Sequence, residues 1–242
     1  MGLKSVPSYP LTSPSILEAL ALDLRKQQES YYLISQIILE TGMPLNRVVK
    51  LRVSDIKNKP KLKYDSRHNT YVFEVPISLR LQRDIHRFTK NMADDTYAFM
   101  GARSDKPMIP TAFQYALASA SERIGAEPAI TSSSLRKTFI YNTVLSDGNY
   151  VRAAHYTHSS GPKEVTDYLG VVPEQITFAQ ATKDFNKSIQ RGAIDRTRKK
   201  LLKALEEAEH MAKHPEDRTI EGMVNASALM ESLSSTISKF NL

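Results

Sequence analysis

The sequence predicts a mainly α fold with one small antiparallel β-hairpin, an α+β domain, followed by a helical C-terminal extension. Three observations lead there. Between residues 16 and 170, apolar residues recur at helical spacing between capping residues. One stretch instead alternates: Tyr71, Phe73 and Val75 against Val72 and Glu74. After about residue 172, a basic run gives way to an apolar seam.

The elements follow in order. Residues 1–15 are rich in Pro and Ser and read as an extended arm. Ile16 to Arg25 has helical spacing, with Ser13 or Ser15 as the cap. Tyr32, Leu33, Gln36, Ile37 and Glu40 continue in a second helix that stops near Gly42. Pro44 opens a third helix, running toward Leu51, from within its first turn, where a missing N–H costs nothing. Lys61 to Pro76 reads as two strands around a turn at Arg67-His68-Asn69. Ile77 to Met92, Ala112 to Ile124 and Leu135 to Leu145 read as helices, the second stopping at Gly125. Helix continues to Gly170, with breaks at Gly148 and Gly161-Pro162.

The C-terminal part differs in character. Lys183, Lys187, Arg191, Arg196, Arg198, Lys199 and Lys200 face only Asp184 and Asp195 in the same run. Leu201, Leu205, Ala208 and Ala212 form one stripe, broken at His214-Pro215. Met223, Ala226, Met230, Leu233, Ile237 and Phe240 then follow at spacings of 3, 4, 3, 4 and 3. Such a seam covers either its own domain or a partner helix. The expected organisation is an arm over 1–15, a domain over 16–175 and an extension over 176–242, with self-association through the extension.

Composition narrows the function. The chain has 242 residues and a formal net charge of +7, which favours an anionic partner, nucleic acid first. It contains no cysteine, so neither a disulfide framework nor a thiolate metal site is available. No metal or other cofactor is expected. No apolar run approaches the roughly 20 residues of a membrane span, and Met1-Gly2-Leu3-Lys4 lacks the apolar region of a signal peptide. The expectation is a cytoplasmic protein with no membrane partner.

Three phrases carry the chemistry. They are Thr41-Gly42-Met43-Pro44 running into Leu51-Arg52-Val53-Ser54-Asp55-Ile56, then Ser134-Leu135-Arg136-Lys137-Thr138-Phe139, then His158-Ser159-Ser160 followed by Thr166-Asp167-Tyr168-Leu169-Gly170-Val171. In this order they resemble the catalytic domain of the tyrosine recombinases, or phage integrases. The likeness covers roughly residues 12–175. It is especially close to integrase-like proteins of low-GC Gram-positive bacteria and their mobile elements. The residues before Thr41 are too few for that family's N-terminal core-binding domain.

The resemblance implies a reaction in which a tyrosine oxygen attacks a DNA phosphodiester. Charge grows on the non-bridging oxygens, and cations aimed at them lower the barrier. The leaving oxygen needs a proton donor. In the family two arginines hold the phosphate, a hairpin lysine donates the proton, histidines assist and a tyrosine attacks. By this resemblance Arg136 matches the second arginine, His158 the later histidine and Tyr168 the nucleophile. From His158 to Tyr168 the chain is one residue longer than the usual pattern, with Gly161-Pro162 inserted.

Two positions depart from the family. Pro44 stands where the first arginine belongs, and Ser133 where the earlier histidine belongs. Arg47 lies one helical turn after Pro44 and is the candidate substitute. In the hairpin, Lys61, Lys63 and Arg67 compete for the lysine's place, and Arg67 sits best by distance to Val75-Pro76. An arginine there binds phosphate but donates a proton badly. The expected partner is double-stranded DNA, bound through Arg136, Lys137, Arg47, Lys63, Arg67, His158 and Lys163. The expected function is a DNA-binding regulator (repressor) or accessory factor of a phage, plasmid or other mobile element, no longer able to cut. One alternative is an active site-specific recombinase with a non-standard site. Another is a module that binds only protein.

Overall fold

In a computed structural model, the structure describes residues 8–65, 72–101, 106–147 and 150–171, with single helical positions beyond these as far as residue 203. The chain divides into two compact units, Met1–Gln180 and Ala181–Leu242. In the second, only Lys183, Lys187, Gln190, Lys199 and Lys203 are described, all helical. Arg67, the turn around it and the seam from Met223 to Phe240 lie outside the described residues.

The first unit is built around one buried helix. Ser13 caps α1 (Pro14–Gln27), accepting a hydrogen bond from the Ile16 N–H, and Pro14 fills the first turn. The helix therefore begins two residues before the expected Ile16. Next, α2 (Glu29–Thr41) buries Tyr32, Leu33, Ile34, Ile37 and Ile38, so it is apolar nearly all round and sits in the centre. It ends at Gly42, whose φ of +66° suits a residue without a Cβ.

After Gly42 come two single turns, α3 (Leu45–Val48) and α4 (Val53–Ile56). The third helix is thus shorter than its expected run to Leu51. Pro44 lies at its N-cap in extended backbone, not inside its first turn. The ring fixes φ in a range that serves either position, so sequence alone does not separate them.

The hairpin forms as expected. β1 (Lys61–Asp65) pairs antiparallel with β2 (Val72–Pro76), Leu62 opposite Val75 and Tyr64 opposite Phe73. Those four residues face inward, and their alternates, among them Lys61, Lys63 and Glu74, face solvent. Among the described residues, five further helices follow: α5 (Leu79–Thr89), α6 (Pro110–Arg123), α7 (Ser132–Asp147), α8 (Tyr150–Thr157) and α9 (Pro162–Leu169). Helices α1, α5 and α7 pack on α2, α6 packs on α1, and α8 and α9 continue from α7. Past Gly170, Ile176 is buried and Gln180 donates to the Val144 carbonyl at 3.2 Å.

A buried polar knot ties α1, α2 and α5 together. Asp84 is 6% exposed; it accepts from the Tyr32 hydroxyl at 2.8 Å and from Arg25 at 2.9 Å. The Arg25 guanidinium lies 3.6 Å over the Tyr32 ring. Such a carboxylate is tolerable in a core because both its partners are present.

Candidate nucleic-acid interface

The three phrases meet in space through aromatic packing. A Cβ on Gly42 would stand 2.3 Å from Phe139 Cδ1, so the turn after α2 presses directly on α7. Phe139 meets the Tyr156 ring edge-on at 4.9 Å, and Phe73 of β2 covers that ring at 4.9 Å. Tyr64 of β1 donates its hydroxyl to the Thr41 carbonyl at 3.1 Å. The hairpin, α8, α7 and the turn at Gly42 are therefore one packed wall.

On this wall α7 carries Arg136. Its Nη2 donates to the Tyr156 carbonyl at 2.9 Å, on the residue held between Phe139 and Phe73. Its Nε–H is buried and has no hydrogen-bond partner among the described residues. An unmade bond of this kind costs about 1–3 kcal/mol, and an anionic oxygen would satisfy it.

Tyr168 is on α9. Burial pushes its phenol above the usual tyrosine range, and the Arg136 charge pulls the other way less strongly. Lys137 stands 5.3 Å over the Tyr168 ring and donates to the Ser8 carbonyl at 2.6 Å. Burial holds its ammonium below the usual lysine range. Lys137, expected to face DNA, thus has its charge engaged inside the unit.

His158 is exposed just past the end of α8, in left-handed backbone with φ +57°. Pro44 offers neither charge nor N–H, and Ser133 is exposed in the first turn of α7. Arg47 pairs with Asp65 at the end of β1, at 3.9 Å. Lys63 pairs across the hairpin with Glu74 at 2.5 Å, and exposed Lys163 pairs with Asp167 at 3.3 Å. Arg136, Lys137 and Tyr168 are brought together; Arg47 and Lys63 instead meet carboxylates on the hairpin. Among the described residues, no cluster of His, Cys, Asp or Glu could hold a metal ion. No described helix is long and apolar enough to cross a membrane.

Sequence reasoning missed the segment before α1. Ser8 occupies Lys137, the Leu11 N–H donates to Thr138 Oγ1 at 2.8 Å, and the Tyr9 ring comes within 3.3 Å of where a Gly170 Cβ would stand. This stretch is packed across α7 to the end of the Tyr168 helix. The one signal was Tyr9-Pro10-Leu11, an apolar triplet in an arm rich in Pro and Ser.

A helical unit with one antiparallel hairpin, and with Arg136 and Tyr168 on adjoining helices, has the catalytic-domain fold of the tyrosine recombinases. The comparisons with known proteins agree. No protein-family model matches the chain. In sequence it is similar to the probable integrase/recombinase YoeC of Bacillus subtilis (strain 168), 24% identical over 148 residues, covering 61% of this chain and 81% of that protein. In structure it is similar to the XerA recombinase, with a TM-score of 0.59 and 14% identity, over 76% of this chain and 66% of that one. It is also similar to the Tn1549 transposon integrase solved with a circular intermediate DNA (TM-score 0.56, 14% identity, 76% and 68% covered). A third likeness is to the XerH site-specific recombinase bound to its difH substrate (TM-score 0.53, 12% identity, 74% and 55% covered). At these identities the structural likenesses establish the fold, and the chain spans about two thirds or less of the XerA and XerH chains.

Proposed function

We propose that this protein binds double-stranded DNA on the face carrying Arg136 and does not cut it. The observation that carries the reading is the state of Arg136. Its guanidinium is fixed by the Tyr156 carbonyl and keeps a buried donor unpaired, which suits a phosphate oxygen. Solved proteins of the same fold are bound to DNA, and the chain's net charge of +7 suits the same partner.

The loss of cleavage follows from what accompanies Arg136. Pro44 removes a cation whose contact would strengthen in the transition state. By analogy with deleting an oxyanion donor, that costs on the order of 10²–10³ in rate. Ser133 removes an imidazole. The Tyr168 phenol, raised by burial, yields its proton less readily than a free tyrosine. The candidate replacement cation, Arg47, leans on Asp65. A binder of this kind serves as a regulator or an accessory factor of a mobile element, and the 3-4 seam from Met223 to Phe240 is suited to pairing two copies on two half-sites.

The test is binding to duplex DNA from the gene's own upstream region across a salt series. Arg136→Ala should cost about 1–3 kcal/mol in affinity and make the log–log salt slope shallower by about 0.9. Tyr168→Phe should leave affinity nearly unchanged. Salt-independent binding, or none to any duplex, would instead favour a protein-binding module. Sedimentation of the intact chain beside Leu233→Asp with Ile237→Asp tests the seam; a monomer at every concentration, with and without DNA, rules pairing out.

A further inference from the structure

The outward side of α5 carries a row of cations that the Arg136 face does not use. Arg80, Arg83, Arg87 and Lys90 are all exposed, at spacings of 3, 4 and 3. At 100° per residue they fall within an arc of about 80° and along about 15 Å of the axis. The opposite side of α5 buries Leu81, Ile85 and Thr89. The helix's one carboxylate, Asp84, is buried and taken by Tyr32 and Arg25, with Arg87 also 3.7 Å from it. Arg80, Arg83 and Lys90 make no ion pair among the described residues. Exposed His86, beside the row, bonds Asn58 at 2.9 Å, and the last turn of α1 adds Arg25 and Lys26.

The row lies away from Arg136. Arg80 and Arg25 line a groove with Thr138 and Asn142 of α7. On a helix, residue 138 lies about 200° round from residue 136, so the groove and Arg136 open on opposite sides of α7. Arg136 itself reaches to α8.

We propose that the outer face of α5 is a second DNA-binding surface, which grips the backbone of a duplex segment separate from the one at Arg136. This rests on the DNA-binding reading above. A duplex presents a negative charge about every 1.7 Å of its length, so 15 Å of it offers every cation in the row a phosphate. Three of the four are arginines, whose planar forks suit phosphate oxygens. A protein partner would want an apolar or aromatic centre to the patch. The row has none; exposed Leu79 stands at its end. No base reading is implied, because backbone contacts carry no sequence information directly.

The experiment captures a second, fluorescent duplex on beads that carry a first duplex already loaded with the full-length protein. The variant is Arg80→Gln, Arg83→Gln and Lys90→Gln together, which spares Arg87 beside Asp84. A thermal melt matching the unaltered protein shows that it folds, and the charge-keeping set Arg80→Lys with Arg83→Lys serves as a second variant. The unaltered protein and the lysine set should capture the second duplex. The glutamine set should hold the first duplex and lose the second. Capture that survives the glutamine set overturns the proposal, as does an unaltered protein that holds one duplex and never a second. An unaltered protein that binds no duplex at all overturns the DNA-binding reading with it.

Discussion

Replacing Gly42 by alanine tests whether the turn after α2 sets the position of Arg136. Two costs add. The residue sits at φ +66°, where a Cβ meets the following carbonyl, roughly 1–2 kcal/mol. The new Cβ also falls 2.3 and 2.7 Å from two carbons of the Phe139 ring. Moving a packed ring adds about 1–3 kcal/mol, giving a total of roughly 2–5. Gly125 is the control, since it has φ +65° but nothing within 4 Å of its Cβ position. Gly125→Ala should cost only the backbone part. Urea unfolding measures both, read as midpoint shifts at constant slope. With Phe139→Leu as background, Gly42→Ala should lose most of its second cost. Because Phe139 abuts Tyr156, whose carbonyl holds Arg136, Gly42→Ala should also weaken DNA binding while Gly125→Ala does not. Equal costs at the two glycines, or no relief from Phe139→Leu, would refute the contact.

The other predictions concern charge. Arg123 on α6 holds the Asp23 carboxyl of α1 below the usual carboxylate range, with a hydrogen bond at 2.7 Å. A lowered folded pKa stabilises above the unfolded value near 3.9 and fades as pH falls through the folded value. Asp23→Asn should therefore cost up to about 1 kcal/mol at pH 7 for this partly exposed pair, and progressively less as pH falls through the folded value, in melts across the acid range. Tyr168 has the opposite sign: its raised pKa stabilises the fold below the ordinary tyrosine value near 10, and the gain is lost as pH rises above it. In a phenolate absorbance titration, the step removed by Tyr168→Phe should be a late one, and Arg136→Ala should push it later still.

Much of the fold was legible because its signals are local. Ser13 and Gly42 mark helix ends through their own caps, and the 2-residue period of Phe73 and Val75 turned the right sides inward. Pro44 was misplaced by one position because proline fits both the cap and the first turn. Within the candidate site, Arg136 and Tyr168 were singled out by the phrases around them, and what they touch was not. Lys137 was read as a DNA contact, and the hydrogen bond it donates to the Ser8 carbonyl, far away in sequence, was not foreseen. The Tyr156 carbonyl that fixes Arg136 leaves no mark in sequence, since any residue supplies a carbonyl. The cations of α5 were likewise lost in an ordinary-looking helix until burial showed which side of it faces out.

The most direct measurement of the central claim is a trap for the covalent intermediate. The protein is incubated with nicked half-site DNA, from which a cleaved product cannot religate, and resolved on a denaturing gel. The account predicts a duplex bound under native conditions and no protein–DNA adduct under denaturing ones. An adduct that forms with the unaltered protein and vanishes in Tyr168→Phe would contradict it, and would make this chain an active recombinase despite Pro44 and Ser133.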